Sequence, residues 1–157
     1  MKWKVIFLIA PGPLKYPFVK EGLSYFLKGL SKWIKVEGIF PRLKGAYSSK
    51  VERLKAEEEL FLRHLPENSY LIVLDERGRA FNTTSFTELL NSLQGQWKNI
   101  TFLIGGPEGV SEELKKRAHL TLRLSDLTLN HEIALLVLVE ALYRAFSIIK
   151  GHPYHRA

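Results

Sequence analysis

The stretch Ile100-Thr-Phe-Leu-Ile-Gly-Gly-Pro-Glu-Gly-Val-Ser111 passes from an unbroken apolar run, through a glycine turn, to a helix start. Ile100 to Ile104 has the length and the side chains of a buried strand. Gly105 to Gly109 is a sharp loop. Ser111, followed by Glu112 and Glu113, reads as an N-cap with carboxylates where the helix dipole favours them. Strand, turn and helix form the unit of an α/β layer, and the chain repeats that unit on both sides.

Upstream, Lys2 to Ala10 is a mostly apolar, central strand ended by Pro11-Gly-Pro13. Val19, Leu23, Phe26, Leu27, Leu30 and Trp33 then recur at helical spacing, and Ile34 to Glu37 alternates as a half-buried strand does. The aperiodic stretch 41–49 is a loop. Lys50 to Leu65 returns to helix, Ser69 to Leu74 is an apolar strand, and Asp75 to Gly78 a polar turn. Ser85 and Glu88 form a capping box for a helix carrying Phe86, Leu89, Leu90 and Leu93, which Gly95 stops. Beyond the glycine loop, Leu120 to Leu124 is a short strand and His131 to Lys150 the longest helix, apolar on almost every side through Val139. A polar aromatic tail, 151–157, ends the chain. The alternation predicts one α/β domain over residues 1–157, a mainly parallel sheet flanked by helices.

The composition narrows the chemistry. With 157 residues, 46% of them hydrophobic, the chain can bury about 70% of its unfolded surface and needs no staple. The absence of cysteine excludes a disulfide scaffold, a thiolate zinc site, an iron–sulfur cluster and a cysteine nucleophile. No two of the five histidines fall at H-E-x-x-H spacing, so no metal is expected. The opening residues imitate a signal peptide, but Val5 to Ala10 is shorter than an h-region of about 7–15 residues, and Pro11-Gly-Pro13 stands where a cleavage site would. Ile133 to Val139 ends at Glu140, far short of the ~20 residues that cross a bilayer. The expectation is a cytoplasmic protein that keeps away from membranes.

Charge is unevenly spread. Residues 1–55 carry 12 lysines and arginines against 3 acidic residues, a net of +9, whereas 56–157 carry 11 against 13. Such a half suits a polyanion, RNA above all, although a solubilising lysine surface has the same composition. Within it, Arg42, Lys44, Tyr47 and Lys50, with Lys15 and Lys20 near the first turn, are the candidates for RNA: cations for phosphates, a ring for a splayed base.

Ligands of parallel sheets bind outside the carboxyl ends of the strands. Three loops begin there: from Leu74, from Gly105, and from Leu124. The glycine loop is neither a P-loop nor G-x-G-x-x-G, and taken alone it suits close packing as well as it suits a ligand cradle.

Four segments carry more. In their order and spacing, Phe102-Leu-Ile-Gly-Gly-Pro-Glu-Gly109, Leu124-Ser-Asp-Leu-Thr-Leu129, Glu140-Ala-Leu-Tyr-Arg-Ala-Phe146 and His152-Pro-Tyr-His-Arg156 resemble the ribosomal large-subunit pseudouridine N3-methyltransferase family of the SPOUT class. The resemblance covers essentially the whole chain. It implies an α/β fold with a C-terminal trefoil knot, a homodimer, S-adenosylmethionine (SAM) as methyl donor, and a pseudouridine of 23S rRNA within the assembled ribosome as target. It further implies that Leu74, Gly105 and the run Leu124, Ser125, Asp126, Leu127, Thr128 and Leu129 hold the donor. Leucines around a ring and a few placed backbone groups make physical sense for such a pocket, and plain core packing is the alternative for the leucines. Two departures stand out. The family's proline–histidine–proline reads Asn130-His131-Glu132, and Leu135 replaces a common arginine.

Methylating an imide nitrogen requires its proton to leave. His152, Tyr154, His155 and Arg156 of the tail are the candidates for that work, ahead of His131, with Arg156 suited to stabilising the imide anion and Tyr154 to stacking or hydrogen bonding. A frayed terminus is the competing reading of the tail. Two other functions remain open from sequence: a knotted methyltransferase with a different RNA target, and a non-catalytic RNA-binding or ribosome assembly factor.

Overall fold

The computed structural model describes residues 4–96 and 99–156, so Lys2 and Trp3 of the expected first strand and Ala157 of the tail lie outside it. Strands and helices alternate throughout: β1 (Val5–Ile9), α1 (Pro17–Leu30), β2 (Lys35–Ile39), α2 (Lys50–His64), β3 (Ser69–Ala80), α3 (Thr83–Gln96), β4 (Asn99–Leu103), α4 (Glu112–Arg117), β5 (Leu120–Arg123) and α5 (His131–Ile149). The five strands pair in the order β2-β1-β4-β3-β5, and every pairing is parallel.

Side chains alternate across each strand, so the sheet builds a core on both faces. Ile6 and Leu8 of β1, Ile100 and Phe102 of β4, Ile72 and Leu122 pack under α1, α3 and α5. Ile9, Leu71, Val73 and Leu103 pack on the other face with Phe61 of α2 and Leu114 of α4. Crossovers therefore alternate faces as the chain reverses direction across the sheet, the pattern that keeps each of them right-handed.

Three local expectations need correction. First, Asp75 to Gly78 is no simple turn, because β3 runs on to Ala80. Leu74 and Arg79 both pair with Leu122, and the residues between them bulge out. Gly78 makes that possible: a Cβ there would lie 2.7 Å from the Leu122 nitrogen, so only a glycine lets the two backbones approach so closely. Second, α3 is capped by Asn82 rather than Ser85. The Ser85 amide donates to Asn82 Oδ1 at 2.8 Å and the Asn82 amide donates to Ser85 Oγ at 3.0 Å, a reciprocal pair that starts the helix earlier. Third, α3 continues through Gly95 to Gln96. The position has open space around it, so glycine there lowers propensity without stopping the helix.

The all-round apolarity of α5 points, in sequence, to a partner. Most of it is satisfied within the chain, since Leu135, Leu138, Val139, Leu142, Ala145 and Phe146 are buried against α1, α3 and the sheet. Val137 and Ile148 remain in solvent.

Replacing fully buried Phe102 with alanine should cost about 3–5 kcal/mol of stability. Val51→Ala, at a side chain 78% exposed, should change it by less than about 0.5 kcal/mol. Urea unfolding of both variants checks the pair.

Candidate active site

Parallel pairing brings all strand ends to one edge. Ile9 and Val73 both stand beside Leu103, so the segments after β1 and β4 emerge together beside the bulge that follows Leu74 in β3, and β5 ends beside the last residues of β3. The crossover after β3 runs over one face and that after β4 over the other. The crevice between them, flanked by Leu74 and Gly105, is thus a topological switch point.

The glycine loop is gripped from α2. Glu57 is 6% exposed, and its Oε1 accepts the Gly106 amide at 3.1 Å. Burial leaves this carboxyl easier to protonate than a solvated one, against the pull of the Gly106 amide and Arg53. Arg53 Nε reaches Glu108 at 3.5 Å, and Glu58, whose carboxyl is held low by the Ser111 hydroxyl and by Lys55, secures the start of α4. The loop also closes on itself: the Gly109 amide donates to the Gly106 carbonyl at 2.9 Å, with Gly109 at φ +84°. A Cβ on Gly105 would meet the Gly109 carbonyl oxygen at 2.5 Å, so glycine is a steric necessity there.

The loop after β5 is more open. Ser125 Oγ accepts the Leu127 amide at 2.9 Å, and Arg123 Nη1 pairs with Asp126 at 3.3 Å. Leu124 and Leu129 are half-buried, Thr128 is exposed, and Leu127 is 77% exposed. The departure at 130–132 has a structural use. Asn130 caps α5 by accepting the Glu132 amide at 2.9 Å. Glu132, 1% exposed, turns inward and accepts the backbone amides of Lys15 at 2.9 Å and Tyr16 at 3.2 Å. It thereby ties the turn before α1 to the exit of the β5 loop. Leu135 is wholly buried in the core.

The tail is ordered, not frayed. It folds back onto α5, where Glu140 Oε2 accepts the Tyr154 hydroxyl at 2.7 Å and Arg144 Nη2 at 2.8 Å. Arg144 Nη1 lies 3.0 Å from His155 Nδ1. A guanidinium has no acceptor, so this His155 nitrogen accepts and the ring proton sits on Nε2. Burial and the Glu140 bond push Tyr154 up to about 12, so it works as a hydrogen-bond donor rather than a base. The Glu140 bond also holds the Arg144 charge firmly. His152 is separate: its ring packs on Trp33 at 5.4 Å and on Tyr143 at 6.4 Å. Arg156 is exposed, and His131 begins α5 outside the cluster.

A cleft of about 170 Å³ joins two of these parts, with Leu124, Arg123, Phe81 and Asn82 on one side and Glu140 and Arg144 on the other. Leu74 and Gly105 open on the same edge but do not line it. A larger cleft of about 350 Å³, by Leu65, Ser69, Thr101 and His119, lies at the opposite ends of the strands and touches none of the three loops.

Of the RNA candidates, Lys15, Lys20, Arg42, Lys44, Tyr47 and Lys50 are all exposed. The Gly12 amide donates to the Pro41 carbonyl at 3.0 Å, and Gly12 pairs with Arg42, which stitches the Lys15 turn to the basic loop. The Tyr47 hydroxyl donates to the Lys44 carbonyl at 2.7 Å, presenting its ring outward. Among the described residues, no helix is long and apolar enough to cross a membrane and no group of three His, Asp or Glu could hold a metal ion.

Sequence reasoning passed over Arg144, Glu132 and Glu57. Arg144 follows Glu140 at the i+4 spacing of a helical ion pair, a signal that was available. Glu57 sits in an acidic triplet that reads as a solvated face, and nothing local betrays that it turns inward.

A family model described as "Predicted SPOUT methyltransferase" matches residues 1–155. Over 157 residues the chain is 38% identical to the ribosomal RNA large subunit methyltransferase H of Halothermothrix orenii, covering 95% of this chain and 98% of that protein. It is 37% identical over 153 residues to the protein of the same name from Neisseria gonorrhoeae, covering 96% and 98%. It is 35% identical over 154 residues to that of Caldicellulosiruptor saccharolyticus, covering 97% and 100%.

Two measurements probe this arrangement. Glu132→Ala strands two backbone amides and should cost about 2–4 kcal/mol in urea unfolding, with Glu132→Gln losing less because an amide oxygen still accepts. Tyr154 ionises near pH 10 when unfolded but only near 12 when folded, so between those values the folded state holds the extra proton and stability falls as pH rises. Tyr154→Phe should show a shallower fall over that window in parallel unfolding titrations.

Proposed function

The chain belongs to the SPOUT methyltransferase family, and from that membership we propose that it is a SAM-dependent methyltransferase that methylates N3 of a pseudouridine in 23S rRNA on the assembled ribosome. In this reading it is a cytoplasmic homodimer whose C-terminal part is threaded into a trefoil knot. The return of α5 between α1 and α3, after β5 has passed beyond β3, supports that threading.

One observation carries the reading: Glu140 and Arg144, bonded to Tyr154 and His155 of the tail, line a single cleft with Leu124 at the start of the β5 loop. The residues fit the donor. Leu74, Leu124, Leu127 and Leu129 offer apolar walls for a ring, and Leu127 is a large side chain that the protein itself leaves uncovered. Gly105 and the backbone of 124–129 offer polar groups without bulk. The donor supplies an electrophilic methyl group on a sulfonium.

The chain's own residues prepare the acceptor. Lys15, Lys20, Arg42, Lys44 and Lys50 hold phosphates, and Tyr47 stacks on a splayed base. The imide proton leaves to solvent as the charge it leaves behind spreads onto the flanking carbonyl oxygens. Arg144, aimed by Glu140, and Arg156 stabilise that charge as positioned donors. His155 presents Nε2–H to the same anion, Tyr154 braces Glu140, and His152 anchors the tail to Trp33.

Labelled SAM and ribosomes lacking this modification test the proposal, with the product located by nucleoside mass spectrometry. Label on N3 of a pseudouridine is the expected result. Transfer to another nucleoside would shift the target, and absence of SAM binding would end the enzyme reading. Arg144→Ala should lower kcat about 100-fold with SAM affinity kept. Arg42→Ala with Lys44→Ala should raise KM for RNA and reduce the slope of log affinity against log salt by about one per residue.

A further inference from the structure

We infer that Glu57 is a positioning residue for the methyl donor, turning the Gly105 carbonyl toward the crevice by holding the Gly106 amide. The inference rests on the proposed function and names a residue that the reading above does not use.

The bond between Gly105 and Gly106 is trans, since the one cis peptide among the described residues is Gly12–Pro13. In a trans peptide the carbonyl of one residue and the amide of the next point in opposite directions. Glu57 Oε1 holds the Gly106 amide toward α2 at 3.1 Å, so the Gly105 carbonyl points away from α2, across the sheet edge. The Gly106–Gly109 pairing closes the turn from within, and Glu57 adds a side-chain acceptor for this plane, whose two glycines have no Cβ to limit its rotation. The fit is close. A Cβ on Gly106 would lie 2.9 Å from Glu57 Oε2, so the carboxylate would have to shift to admit any larger residue at 106.

The surroundings sharpen the orientation. Arg53, one helical turn before Glu57, holds Glu108 on the far side of the loop, and the Gly109-to-Gly106 bond closes the turn between them. The loop is therefore held at both flanks by one helix. That helix begins at Lys50, at the end of the basic loop proposed to meet RNA.

Two variants separate positioning from plain stabilisation. Glu57→Gln keeps an acceptor oxygen at the same reach. Glu57→Asp keeps the charge but withdraws the acceptor by one methylene. Calorimetric titration with SAM, on protein verified as folded by circular dichroism, should give affinity within about threefold of wild type for Glu57→Gln and at least tenfold weaker for Glu57→Asp. Hydrogen exchange of the Gly106 amide without SAM should be protected in wild type and Glu57→Gln and accelerated in Glu57→Asp. Leu90→Ala, a core change remote from the loop, serves as the destabilised control and should bind SAM as wild type does. Equal SAM affinity in wild type and Glu57→Asp overturns the inference and leaves the proposed function standing. Wild-type protein that binds no SAM overturns both.

Discussion

Parallel pairing is the constraint on which everything else depends. A parallel strand cannot turn directly into its neighbour, so each must end, cross a face of the sheet and begin again from the far side. All five strands consequently finish at one edge, and the chain is obliged to leave its irregular segments there. The glycine loop, the β5 loop and the stitched Gly12–Arg42 turn are neighbours for that reason, although they are far apart in sequence. The same constraint sends successive helices to alternate faces and opens the crevice between β3 and β4.

Buried carboxylates then set the shape of that edge. Glu57 and Glu132 are each almost wholly removed from solvent, and each accepts backbone amides from a distant loop. A buried charge is costly unless hydrogen-bonded, and loop amides without partners are costly too; each deficit answers the other. The result is a surface whose backbone is fixed before any ligand arrives. Glu140 plays a related part in a wetter setting, aligning Arg144 and Tyr154 through one oxygen. The tail is ordered because its polar groups find partners on α5, which a frayed end would not.

Much of this was legible in the amino-acid order, and the failures have physical causes. Apolar runs and glycine turns located β1, β4 and the strand-end loops, because a strand buried on both faces needs little except apolar side chains. The extension of β3 was not legible: Asp75 to Arg77 carry no hydrophobic signal, and their neighbours rejoin β5 through backbone groups that every residue possesses. Asn82 caps α3 where the sequence places Ser85, because the reciprocal bond between the two starts the helix earlier. The apolar girth of α5 does not say by itself which surface covers it, and α1, α3 and the sheet cover most of it.

The sequence by itself determined the α/β alternation, the basic first third and the three loops at strand ends, since periodicity, charge and glycine are local properties. It also carried the family, through motifs whose order and spacing run from Phe102 to Arg156. Only the tertiary structure decided which carboxylates face inward, that His155 Nδ1 accepts from Arg144, and that Glu140 and Arg144 share a cleft with Leu124. Those facts depend on residues brought together over separations as long as that between Lys15 and Glu132. A glutamate looks the same in sequence whether it meets water or a distant amide, and the fold alone supplies the amide.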